Sequence, residues 1–184
     1  MKPYIDLPEH LFGITSLLEY RLDTAHPIRE LTQTLLRGES SLSFGERELI
    51  ASVVSVKNCT EFCSAAHTTV ADMLLNESQS ALEIVEDIDH SCISEKMKAL
   101  LQIASQVQES GKAVTEASID RAKSAGATDL EIHDTVLIAA LFCLYNRYVD
   151  GLNTRRPDDP MYYVNLGERI SKSYMRQAPS PESR

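Results

Sequence analysis

Residues 136–144 read VLIAALFCL, and they constrain the fold more than any other stretch. They lie in a helical pattern running from about Leu130 to Asp150, opened by a capping box of Thr128 with Glu131. A helix that is apolar nearly all round must be central in its fold or buried between subunits. Nine apolar residues are too few to cross a bilayer, which needs about 20. The rest of the chain is also patterned for helices. Ile28, Leu31 and Leu35 follow Pro27, which suits a first helical turn. Ser43 with Glu46 forms a second capping box ahead of a helix ending near Asn58. Another helix runs from about Cys59 to Leu75, one carries Met97, Leu100, Leu101, Ala104 and Val107 on one face, and a short Ala-rich one closes at Gly126. A last helix spans about Met161 to Tyr174. Strand alternation is missing, so the expectation is a compact all-α domain of roughly eight helices over residues 1–176, with a disordered tail at 177–184.

Charge narrows the function. With 18 Lys and Arg against 27 Asp and Glu, the net charge is -9 and the isoelectric point near 5.0. No basic cluster offers a face to a phosphate backbone, which argues against nucleic acid as a partner. The opening MKPYIDLPEHLFG lacks the apolar run of a secretion signal, so the expectation is a cytoplasmic protein that does not enter a membrane. In a reducing compartment its four cysteines are free, catalytic or metal-binding rather than paired in structural disulfides.

The chemistry concentrates in residues 55–67, SVKNCTEFCSAAH, where Cys59, Cys63 and His67 follow at four-residue intervals. Helical residues four apart share a face, so Cys63 and His67 are neighbours, on the inward stripe of Phe62, Ala66 and Val70. A thiol attacks as the thiolate, and an adjacent imidazole can take its proton. Cys59, at the expected helix start, would gain from the macrodipole. Its Cα would lie about 6 Å from that of Cys63 on an ideal helix, near the wide end of the roughly 4.4–6.8 Å that disulfides accept. One zinc cannot take all three residues, because Cys59 and His67 are about 12 Å apart along the axis. Cys63 and His67 alone would need ligands from elsewhere. The plain reading also stands, in which a buried Cys is a small hydrophobe and a core His is merely hydrogen-bonded. Cys92 and Cys143 have no histidine at helical spacing and read as structural.

GERELIASVVSVKNCTEFCSAAH resembles the alkylhydroperoxidase D-like proteins of the carboxymuconolactone decarboxylase superfamily, in particular their peroxidase-related branch. The resemblance continues through KMKALLQIASQV and VTEASIDRAKSAGATDLEIHDTVLIAALFCLYNRYVDGL, covering about residues 42–152. It implies an AhpD-like all-α fold and a proton relay of a glutamate, a Cys-x-x-Cys pair and a histidine. Residue by residue, Glu48 matches the glutamate, Cys63 the attacking cysteine and His67 the histidine. Glu48 shares its helix face with Ala51, Ser52 and Ser55, small residues that let a neighbouring helix approach, although a first-turn glutamate alone would read as solvated. The family's first cysteine falls on Thr60, and the nearest thiol, Cys59, comes one residue early. Either an adjusted helix start lets Cys59 resolve the intermediate, or Cys63 works with an external thiol, or the peroxidase chemistry is lost. Asn146 and Arg147 match a recurring family pair, Arg147 reading as a structural cap of helix carbonyls.

The resemblance thus implies a thiol-dependent (alkyl)hydroperoxide reductase with no metal or other cofactor. Its partners would be a hydroperoxide and a thiol or dithiol reductant, a lipoyl protein in the reference case. Two alternatives remain: a decarboxylase-like enzyme using Glu48 and His67 without thiol chemistry, and a non-catalytic redox sensor. Family habit and the apolar 136–145 helix both imply a homo-oligomer.

Overall fold

The computed structural model describes residues 2–75 and 77–176. Among them are nine α-helices, one 3₁₀ turn and no strand. They are α1 (Gly13–Tyr20), α2 (Leu22–Arg37), α3 (Phe44–Lys57), α4 (Glu61–Leu74) and α5 (Ala81–Glu86). After them come α6 (Glu95–Glu109), the 3₁₀ turn Gly111–Ala113, α7 (Glu116–Ser124), α8 (Asp129–Gly151) and α9 (Met161–Ile170). Both capping boxes form as their sequences predict, Ser43 with Glu46 and Thr128 with Glu131, and Asn58 caps the end of α3. Gly126 takes a φ of +93°, the left-handed turn that closes the segment after α7.

The central helix is α3. It packs most extensively on α4 and also against α2, α5, α6 and α8. Every residue from Arg47 to Ser55 is buried. Leu49, Ile50, Ala51, Val53 and Val54 anchor the larger apolar cluster. The polar members are neutralised locally. Arg47 donates from Nη1 to the carbonyls of Leu35 (2.9 Å) and Gly38 (3.0 Å), and its guanidinium lies 4.9 Å from the Phe44 ring centre. α3 and α4 touch closely at Gly45, where a Cβ would come within 3.0 Å of the Leu74 carbonyl carbon.

The apolar helix α8 is not buried all round. Ile138, Ala139, Phe142 and Asn146 face α3 and α6, but Ala140 and Leu144 look outward, Leu144 at 46% exposure. It is nonetheless central in the fold, packing against α1, α2, α3, α6 and α7. Other expectations shift too. α2 begins at Leu22, so Pro27 sits inside the helix rather than in its first turn. α9 stops at Ile170, four residues before Tyr174. No helix is expected at Gly13–Tyr20 or Ala81–Glu86, where the structure forms α1 and α5. The expected tail at 177–184 lies outside the described residues. Among the described residues no helix is long and apolar enough to cross a membrane.

A smaller apolar cluster joins Leu7, Leu17, Phe62, Cys63 and Val149. The N-terminal segment is strapped over it by backbone bonds from Tyr4 N–H to Leu152 O (3.1 Å) and from Gly13 N–H to Arg155 O (2.8 Å). Between α1, α2, α4, α8 and α9 this arrangement leaves a cavity of about 510 Å³.

Candidate active site

Glu48 is fully buried, not solvated, and its carboxylate is the hub of the site. Oε2 lies 2.7 Å from Nδ1 of His67. Oε1 accepts from the Tyr174 hydroxyl at 2.6 Å and from Nη2 of Arg37. Burial alone would raise the Glu48 pKa, but the His67 hydrogen bond and the charges and donors around it outweigh burial and hold the carboxyl below its usual range. Glu48 is therefore an ionised carboxylate with no proton to give, so Nδ1 of His67 is the donor. That fixes the neutral ring's tautomer and leaves Nε2 as its lone-pair nitrogen. Phe142 meets the imidazole edge-on at 4.5 Å, and the Tyr174 ring lies parallel to it at 6.4 Å.

Arg37, the last residue of α2, anchors this hub. Its Nε donates to Ile170 O (3.0 Å) and its Nη1 to Leu36 O (2.7 Å), and Tyr174 lies 4.9 Å from its guanidinium carbon. Tyr174 is fixed in turn by Gln33, whose Oε1 accepts the Tyr174 backbone N–H at 2.8 Å. Burial first, then the Glu48 charge, push the Tyr174 phenol well above its ordinary pKa, so it stays a neutral donor.

Cys63 lies in the first turn of α4, and with His67 it lines the 510 Å³ cavity. Only 2% of it is exposed. Burial pushes its thiol up to about 12, a hydrogen bond from Asn146 acts in the other direction, and the charge of Asp150 adds to the rise. The resting residue is thus a neutral thiol. Tyr145 lines the same cavity, its hydroxyl bonded to Thr32 Oγ1. Thr32 already donates to Ile28 O (2.7 Å), so the tyrosine is the donor of that pair.

Cys59 does not start α4. Thr60 is the N-cap, and Cys59 is an exposed loop residue with a φ of +56°. The turn is tightened by the bond from Thr60 N–H to Ser55 O (3.1 Å), which leaves Cys59 in the left-handed region. The dipole of α4 therefore acts on Cys63, not on Cys59. Cys59 opens onto a second cavity with Glu61, Asp150 and Arg156, and it does not line the cavity of Cys63. Thr60, which stands where the resemblance expects a cysteine, is fully buried and donates its hydroxyl to Asp150 at 2.5 Å.

Glu48, Cys63 and His67 are thus brought together, and Cys59 is set apart. Sequence reasoning missed Arg37, Tyr174, Thr32 and Tyr145. Arg37 follows the apolar positions Ile28, Leu31 and Leu35, and Tyr174 reads only as the end of the last expected helix, so neither signals a buried polar role. Arg147 is exposed and caps Cys143 O at 3.1 Å, while Asn146 bridges Ser55 and Asn58 beside the thiol. Among the described residues no three His, Cys, Asp or Glu side chains converge as a metal site would require.

No protein-family model matches the chain, and no curated protein matches it. Solved structures do. The alkylhydroperoxidase AhpD core of an uncharacterized peroxidase-related protein from Ralstonia eutropha JMP134 superposes over 85% of this chain and 81% of its own, with a TM-score of 0.74 and 24% identity. An uncharacterized peroxidase-related protein from Silicibacter sp. TM1040 superposes over 88% of this chain and 80% of its own, with a TM-score of 0.72 and 20% identity. The chain therefore has the all-α, AhpD-like fold that these peroxidase-related proteins share.

Proposed function

We propose that the protein is a thiol-dependent hydroperoxide reductase with Cys63 as nucleophile. The observation that carries this reading is that Cys63 and His67 line one cavity while Glu48 holds His67 by Nδ1. Nε2 of His67 takes the Cys63 proton, directly or through one bridging water. The thiolate attacks the distal peroxide oxygen, the S–O bond forms as the O–O bond breaks, and His67 returns the proton to the leaving alkoxide. The products are an alcohol and the Cys63 sulfenic acid. Glu48 orients the imidazole and stabilises its cationic form; paired with Arg37, it is a poor base. With Cys59 on another cavity, an external thiol condenses with the sulfenate, releasing water. A second thiol equivalent then frees Cys63 and leaves as a disulfide. A dithiol such as a lipoyl group supplies both equivalents. The outward apolar stripe of α8 suits a homo-oligomer.

The neutral Cys63 thiol favours a second reading, an acid–base enzyme that uses His67 and Glu48 without sulfur chemistry. Peroxide consumption fuelled by a small dithiol separates the two. The reductase reading expects Cys63→Ser to lose at least about a thousandfold in turnover and Cys59→Ser to stay near wild type. Equal rates for wild type and Cys63→Ser would overturn it.

A further inference from the structure

The cavity is much larger than hydrogen peroxide requires and carries the opposite charge to the protein. Its 510 Å³ lies within the roughly 300–1,000 Å³ of sites that take drug-sized ligands. Its walls are apolar, among them Ile14, Leu18, Phe62, Ala66 and Leu166. In a chain of net charge -9, three arginines line it, Arg29, Arg169 and Arg176, against one acid, Glu19. Glu19 is shared, 2.7 Å from Arg29 and 3.1 Å from Arg176. Arg169 is exposed and makes no ion pair among the described residues. The lining is left with two positive charges beyond what Glu19 cancels.

Resting on the reductase reading, we infer that the site takes an amphipathic organic hydroperoxide bearing a carboxylate, with its apolar body against the Leu18–Leu166 walls and its anion on Arg169 and the neighbouring guanidiniums. A guanidinium fork matches a carboxylate in a way that it cannot match a neutral ester or amide. The reaction stays balanced: the hydroperoxy acid leaves as the hydroxy acid, and two external thiols leave as one disulfide.

Binding and turnover test different links. Calorimetric titration of full-length Cys63→Ala with octanoate and with octanamide reads the anion site without chemistry. At least tenfold tighter binding of octanoate, falling to under threefold in Cys63→Ala with Arg169→Gln, is expected. Equal affinities for acid and amide would overturn the inference. Turnover of ω-hydroperoxyoctanoate by wild type is then compared with turnover of its amide. Preference in binding without turnover of either would leave the anion site standing and remove the reductase reading. Equal turnover of acid and amide would keep the reductase and remove the anion site.

Discussion

Cys59 and Cys63 are one helical turn apart in sequence and belong to different solvent spaces. Cys63 is buried and lines an apolar cavity that it shares with an oriented imidazole. Cys59 is exposed on a left-handed turn and lines a second cavity with Glu61, Asp150 and Arg156. Phe62 lines both spaces and is the wall between them. The contrast shows that spacing along a helix decides proximity only when both residues belong to the helix. Here the N-cap falls at Thr60, between the two thiols, and sends Cys59 elsewhere.

The comparison is broken most directly by reactivity. Cys63 is raised by burial, then by Asp150, to about 12, so its thiolate is scarce at neutral pH. Iodoacetamide should label Cys59 at least about a hundredfold faster than Cys63 at pH 8, read by mass spectrometry of digests. Stability carries the same sign. A buried acid whose folded pKa is raised favours folding fully below its unfolded value, and that advantage is lost as pH rises toward the folded one. The stability of wild type relative to Cys63→Ala should therefore fall above pH 9 by up to about 1.4 kcal/mol per unit. A pH-independent difference, with both cysteines labelled equally fast, would erase the contrast.

Glu48 gives the next largest effect, because the Cys63 side depends on a buried charge hub that the Cys59 side lacks. Glu48→Gln leaves Arg37, whose side chain is 1% exposed, without its counter-charge. Removing one partner of a buried pair costs about 3–5 kcal/mol, measurable as a lower urea midpoint with unchanged slope. Tyr174→Phe removes one donor to the same carboxylate and should cost about 1 kcal/mol. If Glu48→Gln unfolds at the wild-type midpoint, the hub is not structural, and the asymmetry between the two sides is one of sulfur burial alone.

The legible part of this architecture was local. Ser43 with Glu46 and Thr128 with Glu131 carry their own capping chemistry in four residues, and both helices start where those boxes stand. The four-residue step from Cys63 to His67 correctly put both on one face of α4. Position 48 was found by resemblance; composition gave no hint that a glutamate one turn into α3 would be buried. Its burial depends on Arg37 and Tyr174, 11 and 126 residues away, and no periodicity records such partners. The inversion of α3 and α8 has the same cause. A helix apolar all round can still leave Leu144 at the surface, while the run from Arg47 to Ser55 is buried throughout because Arg47 and Glu48 find partners on other elements.

A last test addresses the wall itself. Gly13 holds a φ of +50°, and a Cβ there would stand 2.2 Å from Cδ1 of Phe62. Gly13→Ala combines a left-handed backbone, about 1 kcal/mol for a residue with a Cβ, with overpacking of about 1–3 kcal/mol. The ring is the softer partner and must turn away from α1. Because it separates the two cavities, its movement should open a route between the thiols. Oxidation of Gly13→Ala with one equivalent of hydrogen peroxide, followed by alkylation and mass spectrometry, should then show a Cys59–Cys63 disulfide that wild type forms at least about tenfold more slowly. A variant that is destabilised but no quicker to form the disulfide would show that the backbone turn at Cys59, rather than Phe62, keeps the two sulfurs apart.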